Sequence, residues 1–271
     1  MRVLYCGDVV GRTGRKVVTG LMAELRRRLE LDFVVVNAEN AAHGFGLTGE
    51  ICEQFFAAGV DVITTGNHVW DQREIIPYIA RETRVVRPLN YPEGTPGVGV
   101  HICSNGNGSR LMVLQVMGRL FMDPLDDPFA AAERALLNQR LGASIDCIIA
   151  DIHAEATSEK MALGHVLDGR VSLVVGTHSH VPTADARILP GGTAYMTDVG
   201  MCGDYDSVIG MQKAAAIGRF VSKMPAGRLE PATGPATLCG VYVETDDATG
   251  LAVRVGPLRV GGSLVAQWPL A

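Results

Sequence analysis

Short, uninterrupted apolar runs rich in β-branched residues punctuate this sequence, and segments of helical periodicity separate them. That rhythm limits the possible folds more than any other feature. Val3–Cys6, Phe33–Asn37 and Val60–Thr65 read as strands, while Gly11–Leu29, Glu50–Ala58 and Arg73–Arg81 carry helical patterns. Strands that alternate with helices pair in parallel. Runs without polar alternation, such as Val34-Val35-Val36, suit strands buried on both faces.

Beyond residue 97 the pattern changes. Val98–Cys103 and Leu111–Val116 flank a turn-rich link at 104–108, which predicts an antiparallel hairpin. Pro128–Leu141 reads as a helix, and Ile145–Ala150 and Val171–Val175 as buried strands. Ile188–Leu189 and Thr193–Thr197 form a second hairpin around Pro190-Gly191-Gly192. Lys213–Val221 reads as a helix and Ser222–Pro235 as a loop; Leu238–Glu244 and Leu251–Val255 form a closing hairpin. No internal repeat or long linker divides the chain. The expectation is a single α/β domain over residues 1–271, with two sheets and helices outside.

Composition narrows the function. With 271 residues, 47% of them hydrophobic, the chain can bury a large core. No apolar run approaches the roughly 20 residues of a membrane span. The first residues reach a charge too soon for a signal peptide, so the expected location is the cytoplasm, without a membrane partner. Net charge is −5 and no long basic run occurs. Arg26-Arg27-Arg28 reads as a solvated helix face, and nucleic acid is not an expected partner. The six cysteines are scattered without a Cys-x-x-Cys pair, which fits reduced, buried thiols.

Chemistry concentrates where the strands stop. Val171–Val175 runs into Gly176-Thr177-His178-Ser179-His180. If the backbone stays extended, His178 and His180 leave it on the same side. Other runs end alike: Gly7-Asp8, Asn37-Ala38-Glu39-Asn40, Asn67-His68 and Asp151-Ile152-His153. Each residue alone has a plain explanation. Asp8 could cap a helix, Glu39 or Asn40 could satisfy a loop, Asn67-His68 could be a turn, and His153 could be a core histidine. Five coincidences at equivalent positions favour a ligand site beyond the carboxyl ends of the strands. Carboxylates, amide oxygens and imidazoles without thiolate suit Fe, Mn or Zn. His43, His101 and His165 lack this placement and read as structural. Gly44-Phe45-Gly46-Leu47-Thr48-Gly49 matches a dinucleotide fingerprint but does not follow its strand directly. Gly11-Arg12-Thr13-Gly14-Arg15 lacks the Gly-Lys-Ser/Thr of a P-loop.

Taken together, Gly7-Asp8, Gly66-Asn67-His68 and Thr177-His178-Ser179-His180 resemble the calcineurin-like metallophosphoesterases. The motifs at 7–15, 37–40, 151–160 and 194–200 resemble the YmdB-like branch of that group. Two departures from the wider group fall in this branch: Asp8-Val9-Val10 replaces Asp-x-His, and Glu39 with Asn40 replaces the bridging aspartate.

The resemblance implies a calcineurin-like fold, a two-sheet β sandwich flanked by helices in four α/β/β/α layers. It implies two metal ions, iron with manganese or zinc as alternatives. Asp8, Asn40 and His180 would hold one, Asn67, His153 and His178 the other, and Glu39 would bridge them. Two cations roughly 3.5–4 Å apart neutralise phosphate and activate water. The implied activity is hydrolysis of a small phosphodiester, a cyclic nucleotide such as 2′,3′-cyclic AMP. His68, next to a ligand, is the expected general acid or transition-state stabiliser. Arg12, Thr157 and Lys160 are candidate substrate contacts. Asp198 either orients a histidine or ends a strand. A phosphomonoesterase acting on nucleotides or phosphoproteins shares the same chemistry. A regulatory, RNA-associated protein using the site is a reading from another class. Glycine-rich apolar segments permit a homo-oligomer.

Overall fold

The computed structural model of the chain describes residues 1–223 and 227–269. Strands β1 (Arg2–Cys6) and β2 (Asp8–Val9) precede helix α1 (Gly11–Leu29); β3 (Phe33–Asn37), α2 (Gly49–Ala57) and β4 (Val62–Thr64) follow. A 3-10 turn over Gly66–His68 leads to α3 (Ile75–Ile79) and β5 (Val85–Val86). Then come β6 (Val100–Ser104), β7 (Arg110–Met117), α4 (Pro128–Leu136), β8 (Cys147–His153), α5 (Thr157–Val166) and β9 (Leu173–Thr177). The last elements are β10 (Arg187–Ile188), β11 (Ala194–Met196), β12 (Met201–Asp204), α6 (Lys213–Val221), β13 (Ala236–Thr245) and β14 (Ala252–Gly261).

These strands form two sheets. The first runs β2-β12-β13-β1-β3-β4-β5, with β14 paired to β13; the second runs β10-β11-β9-β8-β7-β6. β1, β3, β4 and β5 are mutually parallel, as are β7, β8, β9 and β11. The hairpins expected at 98–116, 188–197 and 238–255 are antiparallel as read.

Strand periodicity divides most of the buried apolar residues among three large cores, with a small fourth cluster of Val10, Met201 and Met211. Val3, Tyr5 and Val35 point between the sheets and meet Val113, Ile149 and Val175. Their neighbours Leu4, Cys6, Val34 and Val36 face outward onto Met22, Leu25 and Phe55 of α1 and α2. On the second sheet Met112, Leu114 and Ile148 pack on Ala132 of α4 and Leu163 of α5. Three cores between four layers give the α/β/β/α sandwich. α1 buries Val18, Met22, Leu25 and Leu29 at spacings of three and four, and Arg26–Arg28 complement the negative end of its dipole.

Some elements differ from the sequence reading. α5 was not expected, because its buried face carries Glu159 and Lys160 beside Leu163 and so lacks an apolar stripe. β2 and β12 are too short for a recognisable run. α4 stops at Leu136 and not Leu141, and β14 continues past Val255 to Gly261 with a half-exposed face. Of the loop expected at 222–235, residues 224–226 lie outside the described residues. Among the described residues no helix is long and apolar enough to cross a membrane.

Candidate metal centre

The parallel strands of both sheets deliver their last residues to one place. From the first sheet come Asp8 on β2, Glu39 and Asn40 after β3, and Asn67 in the turn after β4. The second sheet supplies His153, the last residue of β8, with His178 and His180 just after β9. Donor atoms of Asp8, Glu39 and His180 lie within 4.8 Å of one another, and so do those of Glu39, His153 and His178. Glu39 belongs to both groups. Asn67 Oδ1 lies 2.7 Å from His153 Nε2. Asn40 turns its amide nitrogen to Gly44 O at 3.0 Å and keeps its oxygen free.

Hydrogen-bond accounting fixes the imidazoles. His180 Nδ1 lies 2.8 Å from Ile209 O, which can only accept, so Nδ1 carries a proton and Nε2 is the ring atom that faces Glu39. Thr177 Oγ1 donates to Asp151 Oδ1 at 2.8 Å and therefore accepts from His153 Nδ1, also at 2.8 Å. His153 Nε2 is left as an acceptor. Around it stand His178 Nδ1 at 3.2 Å and Glu39 Oε2 at 2.9 Å. His178 Nε2 points instead to Glu155 Oε2 at 3.2 Å. With neutral rings, acceptors thus converge on acceptors.

Buried polar atoms are normally satisfied. Here Asp8 Oδ1, Glu39 Oε2 and Asn40 Oδ1 are buried without a hydrogen-bond partner. Three orphaned oxygens beside three inward imidazole nitrogens fit cations as the missing partners. The donors are oxygen and nitrogen only, as Fe, Mn or Zn would accept.

Without a cation, protons take its place among these atoms. Burial pushes the Asp8 carboxyl up, with Glu39 adding to the effect against the nearby His180. Burial opposes ionisation of Glu39 too, yet the charge of His153 and the facing His180 hold it well below the usual range. Burial also works against His180, but Glu39 and Asp8 lift it to about 9. His178 falls to about 3 through burial and the charge of His153.

The histidine segment departs from the extended backbone that the sequence suggested. His178 and His180 have φ of 95° and 64°. These left-handed values splay the two rings toward different acceptor groups. Asp198 secures the turn: Ser179 N and Oγ donate to its Oδ2 at 3.0 and 2.6 Å. Gly66, at φ 57°, approaches so closely that a Cβ there would lie 2.1 Å from Glu39 Oε2.

Other expected residues are placed as follows. His68 Nδ1 is held by Asp71 Oδ2 at 2.8 Å, and its ring meets Phe45 edge-on. Its side chain is 25% exposed, open to solvent while close enough to act on Glu39. Lys160, expected as a substrate contact, is buried with Nζ 2.8 Å from Asp198, because its charge must be paired inside the protein. Thr157 is exposed in the first turn of α5 and bonds to nothing in the cluster. Arg12 lines a separate cavity. Sequence reasoning missed the buried support beneath His153: Asp151 accepts from Thr177, Tyr5 and Gln115. The Asp151-x-His153 spacing, which puts both on one face of β8, was the available signal. Glu155 and Asp71 gave none.

A two-sheet α/β sandwich with this acceptor cluster at the strand ends defines a calcineurin-like metallophosphoesterase. The pattern described as "YmdB-like protein" matches residues 4–258. A Bacillus subtilis protein named 2′,3′-cyclic-nucleotide 2′-phosphodiesterase is 48% identical over 255 residues, 94% of this chain and 95% of the relative. A crystal structure described as a hypothetical protein from Thermus thermophilus superposes with TM-score 0.90 at 44% identity. It covers 97% of this chain and 100% of its own. A structure described as a novel phosphatase from Mycoplasma pneumoniae gives 0.89 at 34% identity, covering 96% and 93%. The chain belongs to the YmdB-like family. It is a hydrolase of the phosphoester class, and its donor set supports divalent metal use.

Proposed function

We propose that this chain hydrolyses 2′,3′-cyclic nucleotides with two bound metal ions, iron in the first instance and manganese or zinc in its place. The observation that carries this reading is Glu39, shared by two acceptor groups whose buried oxygens lack partners. Asp8, Asn40 and His180 would hold one ion, and Asn67, His153 and His178 the other, with Glu39 between. When bound, the ions supply neutralisation of the phosphate charge and a water acidic enough to attack near neutral pH.

The chain's own residues complete the reaction. Water oxygen bonds to phosphorus, the bond from phosphorus to O2′ breaks, and the leaving oxygen needs a proton. His68 can supply it from Nε2, because Asp71 engages Nδ1 and keeps the ring oriented. Phe45 packs edge-on against the same ring, with centroids 5.2 Å apart. The six free cysteines fit a reducing compartment, and we place the enzyme in the cytoplasm.

Metal analysis and substrate comparison test this reading together. About two equivalents of metal per chain are expected, with 2′,3′-cyclic AMP turned over far faster than p-nitrophenyl phosphate. A protein that cannot be loaded with metal, or one that prefers the monoester, would count against it. The second outcome would favour a phosphomonoesterase, a reading motivated by the phosphatase description of the Mycoplasma pneumoniae structure.

A further inference from the structure

The turn that carries Asn40 also borders a second cavity, of about 490 Å³, to which no member of the acceptor cluster contributes. That volume lies within the range of small-molecule sites. Arg12 and Arg15 enter it from the first turns of α1, and Arg228 from the stretch after α6. One carboxylate, Glu230, stands among the three guanidinium groups, so the lining is basic in a protein of net charge −5.

These cations are poorly compensated. Arg15 donates to Ala41 O at 2.5 Å. Burial lowers its pKa, and the positive charge of Arg12 lowers it further. Neither Arg12 nor Arg228 has an ion pair or hydrogen bond among the described residues. The start of α1 adds to the same field. Val10 offers no side-chain cap and the first turn holds no acidic residue, so no side chain of the helix start offsets the positive end of its dipole. Arginines left unpaired around a concavity suit phosphate, whose oxygens match the guanidinium fork. Leu229 and Pro231 supply an apolar wall beside them.

We propose that this cavity binds a nucleoside polyphosphate, with its phosphates on Arg12, Arg15 and Arg228 and its nucleoside against Leu229 and Pro231. The location couples the ligand to the cluster. Gly11 N, at the start of α1, donates to Asn40 O at 2.9 Å, and Arg15 holds the adjacent Ala41 carbonyl. A ligand seated there acts on the turn that presents Asn40. This makes Gly11-Arg12-Thr13-Gly14-Arg15, which matches no P-loop, a phosphate-reading segment of another kind.

Calorimetric titration of ADP into the full metal-loaded chain tests the proposal, with adenosine as the control. The expected result is ADP binding that weakens tenfold or more in Arg228→Glu, more than in Arg228→Lys, with metal content and Tm unchanged. Arg228 is exposed, so its substitution leaves the fold intact. Equal ADP affinity in the parent and Arg228→Glu, absence of ADP binding to the parent, or adenosine binding as tightly as ADP would each overturn it.

Discussion

His153 and His180 are each held by the ring nitrogen that faces away from the cluster, one by a threonine hydroxyl and one by a carbonyl. This aims the inner nitrogens at the cluster, where a metal can displace a proton, the usual way a protein presents imidazole to a metal. His68 is anchored differently, to an exposed carboxylate at the rim, which suits a group that handles protons. His68→Ala is therefore expected to lower kcat by about 10²–10⁴-fold while metal content stays constant. Loss of metal in that variant would show that His68 supports Asn67 instead. Gly66 makes a contrasting case, since it has no side chain to take part in the chemistry. A single methyl there collides with Glu39 and His153, so Gly66→Ala should strip metal from a protein that still folds. Metal analysis beside circular dichroism separates the two effects.

At the scale of elements, the segment after β9 does the most with the fewest residues. Two left-handed histidines are costly, of the order of 1–3 kcal/mol each, and need surroundings that over-determine them. Asp198 and buried Lys160 provide those surroundings from β11–β12 and α5. On the two-ion reading proposed above, the diverging rings mean that His178→Ala and His180→Ala should each remove a different ion, seen as unequal loss of the two equivalents. Matching losses from both would mean that the cluster binds its ions as one unit. Much of this was legible in the sequence. Hydrophobic runs located β1, β3, β8 and β9, and the polar residues ending them named the cluster. The left-handed turn was not legible, because the extended reading of Thr177–His180 has no local signal against it. Lys160 misled for a related reason: an internal ion pair has no signature in one sequence, and its partner Asp198 is 38 residues away.

For the whole molecule, protons and metals compete for the same atoms. His180 titrates near 9 in the folded, metal-free chain, against an ordinary value of 6.5. Protonated His180 thus stabilises the fold fully below pH 6.5, and that contribution fades as pH climbs through 9. The chelated protein should therefore lose Tm between pH 6.5 and 9. The loaded protein should not, because metal replaces the proton and binds more tightly as the proton leaves. A flat profile for the chelated protein would contradict the assignment of His180. The cluster also draws on both sheets: Asp8, Glu39, Asn40 and Asn67 hang from one, and His153, His178 and His180 from the other. Cations there bolt the sandwich at one end and leave the opposite end to breathe. Deuterium should then enter the loops around 104–109 and 246–250 readily, while amides beside the bolt wait for global unfolding. Chelation should release the bolted end first, so that its amides exchange without global unfolding while those of the core between the sheets stay protected.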